Sequence, residues 1–230
     1  LYSEGYDFVG ITDHSGALDE PYWRKSLRVA DLYNEDNLFI AIPAHEWTLG
    51  TPSGYKTIPK GVGHRNIIFS STKEAEKFIR NEKEIYSESS PECNSSPKLW
   101  QFIRENNIDC VSIPHHVSDS VHPSDWSVSD EEIEPVVELF QCRGNAEYRG
   151  APRENNLART QTTHRNEAFV DYALREKGIK IGFIASGDHN GMGIGLAGLW
   201  VKEVSKKGIL EALRTRRCFG TTGDQIFMNV

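Results

Sequence analysis

Five short apolar runs in this chain end in related chemistry. FVGIT runs into Asp13-His14, FIAIPA into His45-Glu46, CVSIP into His115-His116, VVELF into Gln141-Cys142-Arg143-Gly144-Asn145, and IGFIAS into Gly187-Asp188-His189-Asn190. Four of the five exits set a histidine beside an acid or a second histidine. A strand needs only a turn to end. Acid and imidazole recurring at the exits is a further demand, and it constrains the fold, because such groups belong at one common edge.

The runs alternate with longer amphipathic stretches. Strands are predicted over Asp7–Thr12, Leu38–Ala44, His64–Phe69, Asp109–Ile113, Val136–Phe140 and Ile179–Ala185. Helices are predicted over Pro21–Tyr33, Lys73–Ile85, Pro97–Asn106, His164–Lys177 and Lys206–Arg214. Pro21 and Pro97 suit first helical turns, and Gly178 suits a C-terminal stop. This alternation argues an α/β fold with a mainly parallel sheet. With 230 residues and no linker or repeat in view, one domain over 1–230 is expected.

In parallel α/β sheets the C-terminal strand ends share an edge, and sites are built there. His64 opens its strand instead. If the chain turns back through the Gly/Pro-rich stretch Gly50–Gly63, His64 begins at the end where Glu46 sits. Taken singly, Asp13 has an ordinary role as a turn cap, and His122 and His164 read as surface groups. Gathering His14, Glu46, His64, His115, Asp188 and His189 at one mouth would crowd polar groups without partners. A divalent cation accepts neutral imidazole and carboxylate together and removes that cost. Imidazole and carboxylate without thiolate suit Zn, Mn or Fe rather than Ca. Six candidate donors exceed one ion, and clustered metals serve phosphate-ester hydrolysis.

A phosphate ester also needs donors for its nonbridging oxygens. Arg65 follows His64. Arg143, Arg149 and Arg153 fall in CRGNAEYRGAPR, with Glu147 and Glu154 as possible ion-pair partners. Arg143, nearest a strand end, and Asp13, beside His14, are the candidate catalytic residues. Arg65, His116, Arg149 and Arg153 are candidate substrate contacts. Arg214, Arg216 and Arg217 read as a surface face. The net charge of −7 argues against a broad nucleic-acid or anionic-membrane surface. No apolar run approaches the ~20 residues of a membrane span. Cys93, Cys110, Cys142 and Cys218 are isolated, so no Cys-rich zinc site is expected. The opening Leu1-Tyr2-Ser3 reads as the start of a piece of a longer protein, which leaves the compartment unread.

GYDFVGITDH, AHEW, GHRNIIF, SIPHH and FIASGDHN, in that order, resemble the PHP superfamily of polymerase-associated and histidinol-phosphatase domains, and the tail LRTRRCFGTTGDQI resembles one of its branches. The resemblance covers nearly the whole chain. It implies a distorted, TIM-like (β/α)7 barrel with two or three divalent metal ions at its mouth and a small-molecule phosphate ester as substrate. His14, Glu46, His64, His115, Asp188 and His189 match family ligand positions. Asp188 and His189 are adjacent here, whereas many relatives have Asp-x-His. The family's opening His-x-His strand is absent, so the resemblance implies a first strand lying upstream of this sequence. Hydrolysis of an amide or lactone, or a non-catalytic metal-stabilised module, are the alternative readings.

Overall fold

The computed structural model describes residues 2–14, 20–48, 63–81, 95–119, 123–154, 166–190 and 194–228. Cys93, His122, His164 and most of the Gly/Pro-rich stretch, residues 50–62, lie outside them.

Strands β1 (Phe8–Ile11), β2 (Ile40–Trp47), β3 (Arg65–Phe69) and β4 (Cys110–Pro114) form one sheet in that order. β1 and β2 run parallel, while β3 is antiparallel to both β2 and β4. A second sheet has β5 (Val136–Gln141) between β6 (Gly144–Asn145) and β7 (Gly182–Ala185), with β5 and β7 parallel. Strands β8 (Leu196–Leu199) and β9 (Cys218–Thr221) form an antiparallel pair. The helices are α1 (Glu20–Leu32), α2 (Thr72–Asn81), α3 (Ser96–Glu105), α4 (Val170–Arg175) and α5 (Lys206–Arg214).

This corrects the expected (β/α)7 barrel. Among the described residues the strands form mixed sheets of four, three and two, and none closes on itself. A closed parallel barrel needs every strand to run the same way with a crossover between neighbours. The reversed β3 and the antiparallel β8–β9 pair break that repeat.

Side chains alternate across a strand, so β2, β3 and β4 each serve two cores. On one face Ile40, Ile42, Ala44, Ile68, Val111 and Ile113 pack with Ile184 and with Ile209, Leu210 and Leu213 of α5. On the other, Trp47, Ile67, Phe69 and Cys110 meet Trp23 and Leu27 of α1, Phe78 of α2, and Leu99, Phe102 and Ile103 of α3. Each fully buried Leu or Ile contributes roughly 1.5–3 kcal/mol. At the start of α5, Ser205 Oγ accepts a hydrogen bond from Gly208 N at 3.0 Å; such a cap is worth about 1 kcal/mol. Among the described residues, no helix is long and apolar enough to cross a membrane.

Candidate metal centre

The same alternation carries polar groups to one end of the first core. On β2, Ile40, Ile42 and Ala44 are followed on their face by Glu46. On β4, Val111 and Ile113 are followed by His115. The reversed β3 places His64 just before its start, on the face of Ile68. His14 forms an isolated parallel bridge with Glu46. Arg65 stands opposite Trp47 and Pro114, so the start of β3 lies beside the ends of β2 and β4. His115 N donates to His64 O at 3.4 Å.

Glu46 is the hub. Its Oε1 lies 2.8 Å from His64 Nδ1 and 3.4 Å from His115 Nε2, and its Oε2 lies 3.2 Å from His14 Nε2. His116 Nε2 is 3.0 Å from His64 Nδ1. Glu46, His64, His115 and His116 are all buried, and each offers a ligand atom within 4.8 Å of the others. Neither ring nitrogen of His115 makes a hydrogen bond of good geometry. A buried polar atom left so costs on the order of 1–3 kcal/mol. Imidazoles and a carboxylate converging on one point are the donor set of a Zn, Mn or Fe site, so these residues fit a metal ion.

The electrostatics follow from this crowding. Burial pushes the Glu46 carboxyl up, but its close contacts with the His115 and His64 imidazoles outweigh it and hold the group well below the ordinary carboxylate range. Burial lowers the His115 imidazole, but Glu46, Glu138 and Asp188 raise it above its usual value. His116 is held far below its usual value by burial, with His115 and His64 adding to the effect. A neutral imidazole is the ligating form.

A second group forms the rim. The His14 ring lies 5.2 Å from the His189 ring, centroid to centroid. The Asp188 side chain is 6% exposed and that of His189 57%, so Asp188 faces inward and His189 outward. Asp188 Oδ2 accepts from Arg143 Nη1 at 2.6 Å and from Gln141 Nε2 at 2.5 Å. Asp188 has φ +53° and His116 φ +36°, left-handed values that non-glycine residues rarely adopt. Asp13 O accepts from Glu46 N at 3.0 Å, and Asp13 lines the same cavity as the cluster. That cavity, about 1230 Å³, runs from Glu46, His115 and Asp188 down to Ile42, Ile113 and Leu199. Its described lining includes no Lys or Arg.

The other arginines stand apart from this group. Arg65 is buried on the opposite face of the large sheet, where its Nε donates to Glu134 Oε1 at 3.0 Å. Trp100 Nε1 and Ser112 Oγ donate to the same oxygen. Adjacent strand residues face opposite ways, so His64 at the cluster puts Arg65 behind the sheet. Arg149 Nη1 donates to Asn166 Oδ1 at 3.2 Å on the exposed surface, and Arg153 O accepts from Asn145 N. His45 follows the same rule: it turns from Glu46 to stack on Trp23, centroids 4.9 Å apart.

Two buried polar residues lie outside the sequence-level set. Glu138, 1% exposed on β5, accepts from His116 N at 3.1 Å and from Ser186 Oγ, and its Oε1 is 3.8 Å from His115 Nδ1. Burial raises its carboxyl pKa. Gln141 holds Asp188 and the backbone of Arg143. The signal was present: a carboxylate inside VVELF is out of place unless it serves buried partners.

The fold resembles that of a two-domain protein from Bacteroides vulgatus containing a predicted PHP-like metal-dependent phosphoesterase. The TM-score is 0.53 and the identity 14%, over 95% of this chain and 57% of that one. A lesion-specific endonuclease from Pyrococcus furiosus aligns with a TM-score of 0.47 and 14% identity, over 93% of this chain and 50% of that one. An uncharacterised Chlamydia pneumoniae protein is 23% identical over 225 residues, which is 92% of this chain and 33% of that protein. The chain thus spans about a third of the length of the curated relatives it matches. Residues 4–194 match the profile of DUF3604, a family described as proteins of unknown function, and the chain belongs to that family.

Proposed function

We propose that this chain binds divalent metal at the Glu46 cluster and hydrolyses a phosphate ester there, as a PHP-type phosphoesterase. The observation that carries the reading is the buried set Glu46, His64, His115 and His116, whose ligand atoms lie within 4.8 Å of one another. In this reading those four residues hold an inner ion. In the same reading His14, Asp188 and His189 would hold a second ion. Zn, Mn and Fe suit the donors. Divalent cations here would lower the pKa of a water and offset charge on phosphoryl oxygens.

The chain's own groups do the rest. In this reading Arg143, paired with Asp188 at the rim and outside the cavity lining itself, would take a nonbridging oxygen of the ester at the mouth. Asp13, beside His14, is the candidate proton acceptor at the mouth. A cavity lined without Lys or Arg suits one anionic group set against the metals. It does not suit a polyanion lying along the walls, which favours a small ester over a nucleic-acid strand. Arg149 and Arg153 would serve at the outer edge.

The test loads the protein with Zn²⁺, Mn²⁺ or Fe²⁺, counts bound metal, and assays p-nitrophenyl phosphate, bis-p-nitrophenyl phosphate and a single-stranded oligonucleotide. Bound metal with turnover of the small esters supports the reading. Metal-loaded protein that cleaves no mono- or diester overturns it, and oligonucleotide cleavage alone overturns the small-ester part.

A further inference from the structure

We propose that Glu138 is the positioning residue of this centre. It orients the His115 ring and fixes the backbone of His116, and through Ser186 it ties the Asp188 turn to the same point. The proposal rests on the metal-binding reading above but is read out separately from it.

Glu138 is a carboxylate in the middle of a buried strand, 1% exposed. Such a group persists only where its oxygens are used, and here each faces a different strand end. Oε1 accepts from His116 N at 3.1 Å, at the end of β4. The same oxygen lies 3.8 Å from His115 Nδ1. That is an electrostatic contact rather than a hydrogen bond. Oε2 accepts from Ser186 Oγ, just past β7 and two residues before Asp188.

Two consequences follow. First, a carboxylate on the Nδ1 side holds the proton there and leaves Nε2, which faces Glu46 at 3.4 Å, as the ligating nitrogen. A carboxylate behind a ligating histidine fixes its tautomer in this way. Second, His116 stands at φ +36°, a conformation that needs outside support. The bond from its amide to Glu138 supplies it, and that backbone bend brings His116 Nε2 to 3.0 Å from His64 Nδ1.

The experiment compares wild type with Glu138→Gln and Ser186→Ala, using the metal-free and the Zn²⁺-titrated protein. Gln keeps the acceptor and the shape but not the charge. Glu138→Gln is expected to bind Zn²⁺ about 10–100-fold more weakly. Its metal-free melting temperature should stay within a few degrees of wild type. Long-range ¹H–¹⁵N spectra of the metal-free proteins, recorded at a pH above the His115 titration, should show the His115 proton shifted toward Nδ1 in wild type relative to the variant, in which Glu46 alone holds it toward Nε2. Ser186→Ala should weaken Zn²⁺ binding less and leave the His115 tautomer unchanged. Unaltered Zn²⁺ affinity in Glu138→Gln, or an unchanged His115 tautomer, overturns the proposal. If wild type binds no metal, the proposed function falls, while the tautomer comparison still decides the role of Glu138.

Discussion

Glu46 divides its carboxylate between histidines from the two strands flanking β2: Oε1 lies 2.8 Å from His64 Nδ1, before β3, and Oε2 lies 3.2 Å from His14 Nε2, after β1. In the absence of metal the contacts hold the glutamate ionised. In the proposed function the carboxylate would turn to the metal. Glu46→Gln keeps the volume and removes the charge. Elemental analysis of the purified variant should find little bound metal, and hydrolysis should fall by on the order of 100-fold or more. A variant with wild-type metal content would show that the carboxylate is dispensable.

Metal binding should strengthen as pH rises. His115 has a raised pKa because Glu46, Glu138 and Asp188 surround it, and its proton must leave before Nε2 can ligate. Below its usual value of 6.5 the proton is held firmly. Above the folded value it is released and the competition ends. Titrations of Mn²⁺ across pH 5.5 to 8.5, a span of about three units around the usual histidine value, should show an affinity that climbs and then levels. A flat profile contradicts the assignment.

His45 predicts an acid-side stability change that is independent of the centre's function. Burial against Trp23 and Phe78 lowers its pKa from 6.5 to about 3. The unfolded chain takes up a proton below pH 6.5 that the folded chain refuses until about pH 3, so the contribution falls as pH drops through that window. His45→Phe removes the titration and keeps a ring on Trp23. Its melting temperature relative to wild type should rise steadily from pH 6.5 to 4. A constant difference would mean that His45 does not resist protonation.

Arg65 and Glu134 make a stability prediction. The pair is buried, and Trp100 and Ser112 spend their donors on the same carboxylate. Removing one partner strands the other, at about 3–5 kcal/mol. Arg65→Ala should therefore lower the chemical-denaturation midpoint sharply. Zn²⁺ affinity of the folded fraction, measured by calorimetry, should stay within about twofold of wild type. A selective loss of substrate affinity in a fully stable variant would restore Arg65 to the site.

Arg143 should behave differently. It is partly exposed at the rim and bonded to Asp188. Arg143→Ala is expected to raise KM for aryl phosphate about 10-fold or more, with little change in melting temperature. Arg143→Lys should recover part of that loss. An unchanged KM would remove Arg143 from substrate binding.

Much of this grouping was legible in the sequence because strand alternation is local. Once Ile40–Ala44 is a strand with one face inward, Glu46 is on that face and His45 is not. The same rule separates His64 from Arg65, yet the two were grouped by adjacency alone, which ignores the period of two. Glu138 was legible as a carboxylate in an apolar run. The turn-back that starts β3 beside Glu46 was legible, but the division of the strands into three separate sheets was not, because it depends on long-range pairing. β8 and β9 were missed because glycine blurs their pattern. A Cβ on Gly198 would fall 2.2 Å from the Phe219 ring, so glycine there reflects close strand packing, which composition alone reads as turn.

The reversed course of β3 leaves the cluster intolerant of length change. Its histidine comes from the start of a strand and its neighbours' donors from the ends, all locked by the ladder. Deleting one residue between Ile40 and Glu46 would turn the glutamate to the other face and present the Trp47 indole in its stead, and inserting one would present the His45 imidazole. Insertions and deletions in this lineage should therefore accumulate between strands rather than within β2, β3 and β4, whatever happens to the side chains.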